Sequence, residues 1–502
     1  MREVSVAGRV LMIQGSSSSA GKSLLVAALC RIYTRRGIKV APFKAQNMSN
    51  NAAVCADGSE IGRAQALQAA AAGLAPSVDM NPVLIKPEAD SRAQIILMGR
   101  PWQTLEAKTY YEKKNILWEH VVQSLDRLRA AHDLVIIEGA GSPVELNLRA
   151  GDIVNMRVAR HAQSPVLLIG DIDRGGIFAQ LLGTLWLLEP EECALVRGFV
   201  VNKFRGDLSL FDDGIRILEK KAKVPALGVI PYLRGLSLPD EDAVSVEIAS
   251  LSSRPASVGQ IDIAVLALPR IANFDDLDPL RTEAGVHIRH VDSADRLGKP
   301  HAVIIPGTKS TMADLDWLRK TGLADSIIDY AGDGGAVIGI CGGYQMLGQT
   351  IHDPLHVESQ NDSVEGLGLL PVVTTFTEKK ATYQVRAWIL KFEVLAGEMI
   401  EGYEIHMGDT QTQSSWLEIT HRNGRQVKIP DGSVSPDGKI WGCYLHGIFA
   451  NDAFRHAWLE SLGRQGEVAS QSARFEKSLE RLADAVENSL DMDLLEKIAW
   501  KN

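Results

Sequence analysis

Two successive α/β domains are what this sequence predicts, each a parallel sheet doubly wound with helices. Three observations carry that prediction. Short β-branched runs alternate with helical patterns through the first half of the chain. A glycine- and serine-rich stretch, QGSSSSAGKS (residues 14–23), joins an apolar run to an apolar helix. A polar stretch, EIASLSSRPASVGQ (residues 247–260), ends this texture, and a second alternating series begins at Ile261. Strands that are apolar from end to end and separated by helices are buried on both faces, as parallel sheets require.

In the first half the expected strands cover 10–13, 38–42, 134–138, 166–170, 198–201 and 227–230, with helices over 24–36 and 61–73. The second series places strands at 261–268, 301–305 and 336–340. From about Lys391 to His446 the pattern becomes hairpin-like, and a charged helical tail starts at Phe475. The expected division is therefore a nucleotide-type domain over 1–245, a linker over 246–260, a second α/β domain over 261–460 and a tail over 461–502.

Composition narrows the function classes. A chain of 502 residues exceeds one ordinary core and implies roughly two to four domains. Apolar residues at 45% and charged residues at 23% are ordinary for a globular protein. The net charge of −9, with no basic block, argues against nucleic-acid and membrane partners. No cationic leader precedes a long apolar run, and no stretch reaches the roughly 20 apolar residues that span a bilayer. The five cysteines (30, 55, 193, 341 and 443) are scattered and never form a CxxC pair, so neither a disulfide framework nor a zinc knuckle is expected. A reduced, cytoplasmic chain is the expectation; its oligomeric state leaves no mark in the sequence.

The stretch at 14–23 reads as a phosphate-binding loop. Backbone N–H groups and a helix N-terminus would surround phosphates, with Lys22 reaching a terminal one and Ser23 offering its hydroxyl to Mg²⁺. The ATP candidates are Gly15, Ser19, Gly21, Lys22 and Ser23. Gly15 stands one residue early for the common G-x₄-G-K-[ST] spacing. Glu138 ends an apolar strand, where ligands bind in open α/β sheets, and is the first metal candidate. Asp171 and Asp173 end the next strand, and either could join it. Asn202, ending a further strand, reads either as a contact to a nucleotide base or as a loop brace.

Downstream, GICGGYQMLG holds a G-x-C-x-G elbow around Cys341, where a strained strand-to-helix turn would present a nucleophile. The N–H of Gly342 and the loop at Gly307 are the oxyanion candidates. The base would be a histidine, His406 in GYEIHMG or His446 in GCYLHGIF. This half is similar to class I glutamine amidotransferases, which implies a flavodoxin-like α/β fold.

Taken in order, QGSSSSAGKS, FKAQNMSNN, EGAGSPVELNL, DIDRGGIFA, NKFRGD, PRIANFDDLDPL and PGTKSTMADLDWLR resemble the cobyric acid synthase family. That family's nucleotide half belongs with dethiobiotin-synthetase-like ATPases, in which the early glycine is usual. The resemblance favours His446, within a Y-x-HG-[IVL]-F motif, as the base. Most class I amidotransferases carry a glutamate two residues after that histidine; here the position is Ile448, and no third triad member is visible. The resemblance implies ATP and Mg²⁺, L-glutamine, and a corrinoid substrate whose carboxylates become amides, with cobalt entering on the substrate and no protein-bound organic cofactor. The substrate candidates are Lys44, Asn47, Asn50 and Asn51 of FKAQNMSNN, which alternatively reads as a polar surface loop. The rival readings are a cobyrinic acid a,c-diamide synthase or another amidoligase, a partitioning-type switch ATPase, and an enzyme using free ammonia. The switch ATPase would carry an extra lysine where Gln14, Gly15 and Ser16 stand.

Overall fold

The computed structural model describes residues 7–89, 92–239, 257, 259–392, 395–466 and 470–500. The chain forms two compact units: residues 1–49, 60–241 and 475–502, and residues 50–59 with 242–474.

The first unit is built on a six-stranded, wholly parallel sheet. Its order is Ala226–Pro231, Val196–Phe204, Val166–Asp171, Arg9–Gly15, Leu134–Glu138 and Val40–Phe43. All six expected strands are present. Two apolar cores cover its two faces, as strands buried on both sides demand. Register brings Ile13 opposite Glu138 and Asp171 opposite Asn202, so the carboxyl ends of adjacent strands carry the candidate residues.

A further four-stranded sheet of Gln46–Met48, Val83–Ala89, Arg92–Leu97 and Arg100–Glu106, followed by the long helix Ala107–Ala131, has no counterpart in the sequence reading. Its last strand, RPWQTLE, is exposed along most of its length, so it lacks the apolar run by which the other strands were found.

The tail is not a separate appendage. Its helices, Gln471–Ser489 and Met492–Trp500, bury Leu479, Leu482, Val486 and Leu495 in the same core as Leu25, Val26, Leu29 and Ile32. Arg31 and Arg35 of the helix Lys22–Arg35 form ion pairs with Glu476, Glu480, Asp484 and Glu487 of the tail. The apolar contact supplies most of the attachment, because exposed ion pairs contribute about 0–1 kcal/mol each. The units differ from the expected division into 1–245, 261–460 and a tail over 461–502: residues 475–502 belong with the first unit and 461–474 with the second. The expected linker, 246–260, lies almost entirely outside the described residues.

The second unit has a parallel sheet in the order Val286–Val291, Ile261–Leu266, Ala302–Ile305, Ala336–Ile340 and Ile440–Cys443, with Ser433–Val434 antiparallel at one edge. A second sheet is organised by the hairpin Val372–Ile389 and Met399–Thr412. That hairpin begins well before Lys391, where the sequence reading placed the change. Residues 50–59 are part of this unit: Ala52 N donates to Asn273 Oδ1 at 3.1 Å, and Phe274 N donates to Asn51 Oδ1 at 3.2 Å. Among the described residues no helix is long and apolar enough to cross a membrane.

Candidate functional site

In the first unit the strand Arg9–Gly15 runs into the loop and then into the helix Lys22–Arg35. The two glycines that frame the loop are there for space. A Cβ on Gly15 would lie 2.7 Å from Lys22 Nζ, so the early glycine lets the ammonium fold over the backbone. Gly21 has φ +99°, and a Cβ there would meet Asn202 Nδ2 at 2.1 Å. Asn202 Nδ2 donates to Ala20 O at 2.9 Å, so it braces the loop from beneath. Ser19 holds a left-handed φ of 55°, and its carbonyl accepts from Lys203 Nζ at 2.7 Å.

Lys22 is buried and donates to Ser17 O and Gly141 O, each at 3.1 Å. It thereby joins the phosphate loop to the loop that follows Glu138. Gln14 Oε1 and Ser17 Oγ are buried with no hydrogen-bond partner among the described residues. Such groups carry a desolvation penalty that a bound polar ligand would relieve.

Glu138 is the hub of this site. Its Oε1 accepts from Ser23 Oγ and from Lys44 Nζ, both at 2.8 Å, and its Oε2 accepts from Gln68 Nε2 at 2.6 Å. Ser23 and Glu138 are hard oxygen donors of the kind Mg²⁺ prefers. No group of three His, Cys, Asp or Glu side chains forms a metal site among the described residues. A donor set this small suits Mg²⁺, which keeps waters and phosphate oxygens as its remaining ligands. Asp171 already has counterions, with Lys203 Nζ at 2.9 Å and Arg174 Nε at 3.5 Å. Asp173 pairs outward with Arg205 at 2.7 Å.

The four substrate candidates separate. Lys44 is an ion-pair partner of Glu138, and Asn47 Nδ2 donates to Gln65 Oε1 at 3.0 Å, within the first unit. Asn50 and Asn51 belong to the second unit, where Asn51 holds the backbone of Phe274.

There, Cys341 follows the strand Ala336–Ile340 and precedes the helix Gly342–Leu347. Its backbone has φ 52° and ψ −108°, a strained conformation that fits the nucleophile elbow. Its N–H donates to Cys443 O at 2.9 Å. A Cβ on Gly342 would lie 2.7 Å from Thr308 Cγ2, and one on Gly307 would lie 3.7 Å from Cys341 Cβ. Gly342 follows the nucleophile candidate directly in the chain, and Gly307 comes beside it and His446 across the fold.

His446 is only 1% exposed, and its ring stacks on Tyr403 at 5.1 Å. Nδ1 donates to Asp276 Oδ2 at 2.7 Å, while Asp276 Oδ1 accepts from Gly447 N at 2.7 Å. Burial alone favours the neutral ring. The charges of Asp276 and Cys341, with the bonds to both, outweigh burial and lift the His446 pKa to about 10. Asn273 Nδ2 lies 3.3 Å from His446 Nε2.

Asp276 thus stands where a third triad member would, a position the sequence reading left empty. It lies in PRIANFDDLDPL, 170 positions from His446, where no spacing rule could join them. His406 is committed elsewhere. Its ring stacks on Tyr444 at 3.7 Å, and Nδ1 bonds Gly408 O at 2.8 Å. Its Nε2 faces Glu404, which also receives Arg422 in a two-pronged pair at 2.7 Å.

Together the units offer a phosphate cradle with a carboxylate hub, and a buried thiol–imidazole–carboxylate triad. Residues 11–246 match the family model described as the CobQ/CobB/MinD/ParA nucleotide binding domain. Residues 262–454 match the CobB/CobQ-like glutamine amidotransferase domain. The cobyric acid synthase of Chloroflexus aggregans is 54% identical over 494 residues, covering 97% of this chain and 98% of that protein. That of Roseiflexus castenholzii is 54% identical over 482 residues, covering 95% of this chain and 97% of that protein. The enzyme of Sorangium cellulosum is 50% identical over 512 residues, covering 97% and 98%. With both domains matched in order and relatives this similar along nearly their whole length, the chain belongs to the cobyric acid synthase family.

Proposed function

We propose that this amidoligase converts the b, d, e and g carboxylates of adenosylated cobyrinic acid a,c-diamide into carboxamides, giving cobyric acid, with ATP and glutamine as co-substrates. The observation that carries the reading is one chain holding both a buried Cys341–His446–Asp276 triad and a phosphate loop whose Ser23 bonds Glu138. ATP and glutamine are cytoplasmic metabolites, and the reading sets the enzyme there.

At the glutaminase centre, Cys341 Sγ attacks the glutamine carboxamide carbon, and backbone N–H groups near Gly342 and Gly307 receive the oxyanion. His446 gives its proton to the departing ammonia. It then takes one from the water that hydrolyses the thioester, releasing glutamate. Asp276 holds the ring in position and stabilises its cationic form.

At the other centre, a substrate carboxylate oxygen attacks the γ-phosphorus of ATP and ADP leaves. Ammonia then attacks the acyl phosphate carbon, and phosphate leaves to give the amide. Lys22 turns from its backbone carbonyls to the phosphates, and the loop N–H groups hold them in place. Ser23 and Glu138 would hold Mg²⁺, which supplies charge neutralisation on the phosphates. Lys44, freed from Glu138, is positioned to pair with an incoming carboxylate. Asp171 fits this role less well than Glu138, because Lys203 and Arg174 already balance its charge.

The test is mass spectrometry of products from Mg-ATP, glutamine and adenosylcobyrinic a,c-diamide. Stepwise carboxylate-to-amide conversion is expected. No conversion by a folded enzyme that hydrolyses both ATP and glutamine would overturn the corrinoid assignment.

A further inference from the structure

The first unit contains a cavity of about 830 Å³ that the chemistry above leaves unused. One wall is apolar, formed by Ile85, Ile95 and Leu105 of the four-stranded sheet. Ala140 and Ser142, from the loop that begins at Glu138, lie on another side. At its edge Met48 and Leu148 are 61% and 43% exposed, a wet apolar surface beside a polar phosphate site.

The charge lining this cavity is unequally balanced. Five cations line it against three acids; of these acids Glu145 is exposed, while Asp152 is consumed by the backbone, accepting from Val154 N at 2.8 Å, Asn155 N at 2.9 Å and Arg157 N at 3.1 Å. Glu192 caps its own helix and pairs with Arg149. Arg157 and Arg160, one turn apart on the helix Met156–Ala162, line the cavity with guanidiniums that form no ion pair among the described residues. Arg157 is held in place by Trp118, whose ring centroid is 4.3 Å from its guanidinium carbon.

We propose that this cavity is the corrinoid site: its apolar wall takes a face of the macrocycle, and Arg157 and Arg160 take its peripheral carboxylates. The inference rests on the substrate reading above and deepens it. Charge complementarity selects the occupant. Two guanidiniums with open donor forks suit carboxylates, whereas an apolar wall beside them suits a broad, weakly hydrated ligand. Gln46 and Ser142 add polar groups to the lining, and Ser142 follows Gly141, whose carbonyl accepts from Lys22 of the phosphate loop, where an arm must reach for phosphorylation. A corrinoid that still bears its b, d, e and g carboxylates is therefore held more tightly than one in which those four are amides, so affinity falls as amidation proceeds.

The test compares two ligands on the full-length protein: cobyrinic acid a,c-diamide, with its carboxylates free, and cobinamide, in which the same positions are amides. Dissociation constants are measured by corrin absorbance for wild type and for the double variants Arg157→Gln/Arg160→Gln and Arg157→Lys/Arg160→Lys, each checked for folding by thermal melting. The Gln pair is expected to weaken the carboxylate ligand roughly 10- to 100-fold and cobinamide less than about 2-fold, with the Lys pair recovering part of the loss. An equal loss for both ligands, or none for either, overturns the site. Should the Gln pair fail to fold, the same comparison is read in wild type, where raised salt must weaken the carboxylate ligand selectively. A wild type that binds neither corrinoid yet amidates another carboxylate with ATP and glutamine would overturn the substrate reading itself.

Discussion

In the second unit, Cys341 and His446 are buried and Asp276 already stands 2.7 Å from the ring. In the first unit, Lys22 points its ammonium at two backbone carbonyls, Lys44 is paired with Glu138, and Gln14 and Ser17 have bare polar atoms. The difference follows from what each site must handle. A nucleophile and its base act on a small neutral amide, so their geometry can be complete beforehand and nothing need move. A site for a highly charged nucleotide cannot leave two lysines and a carboxylate uncompensated, so its charges satisfy one another until phosphate displaces them.

Four measurements bear on that comparison. Replacing Cys341 by Ala is expected to have the largest effect, lowering glutamine-dependent amidation by about 10⁴-fold or more. Ammonium salts should restore the product, because the phosphate site keeps all its parts. If ammonium gives no recovery, the two chemistries are not separable and the comparison fails.

Asp276→Asn comes next, with a fall of about 10² to 10⁴ in glutaminase rate measured as glutamate released. The variant also removes the charge that keeps His446 protonated. His446 lies at about 10 in the fold against its ordinary 6.5, so its stabilisation is complete below pH 6.5 and fades as pH rises toward 10. The stability gap between wild type and Asp276→Asn should therefore be widest near pH 6 and shrink toward pH 10, read by urea denaturation. A gap independent of pH would mean that the two residues are not an ion pair.

Lys22→Gln should reduce amidation by roughly 10² to 10³, with ammonium as well as with glutamine, because the lost charge serves phosphoryl transfer. Rescue by ammonium would place Lys22 outside that step.

The smallest effect concerns what preassembly costs the second unit. Burial, and then the nearby Glu404 charge, push the Asp431 carboxyl up to about 6 from an ordinary 3.8. The folded state favours the neutral acid, so stability is lost as pH rises from about 4 to 6. Asp431→Asn, which can still accept from Tyr444 N, should remove that loss. The variant is expected to equal or exceed wild type by about 1–3 kcal/mol at pH 7.5 in urea titrations. A clear destabilisation at that pH would show that the carboxylate is wanted charged.

Reading the sequence alone reached the parts whose signals are local. The six parallel strands of the first unit declared themselves as apolar runs, and the phosphate loop, Cys341 and His446 stood in motifs a few residues long. Each of those depends on neighbours in the chain, through period, turn chemistry or strained backbone. The exposed strand Arg100–Glu106 of the four-stranded sheet escaped because it lacks an apolar run, and the tail's attachment escaped because its partner helix lies more than four hundred positions away.

The same division holds within the sites. Sequence pointed to a candidate nucleophile, a candidate base, a phosphate-type loop and a strand-end carboxylate at Glu138. Only the tertiary structure decided that Asp276 orients His446, that Lys44 pairs with Glu138 while Asn51 serves the other unit, and that Asn202 braces the loop. These are contacts between segments brought together by burying apolar surface, which is non-directional and leaves no short-range pattern. A hydrogen bond across 170 positions is written in the packing of the whole unit, and the residues at its ends carry no local trace of it.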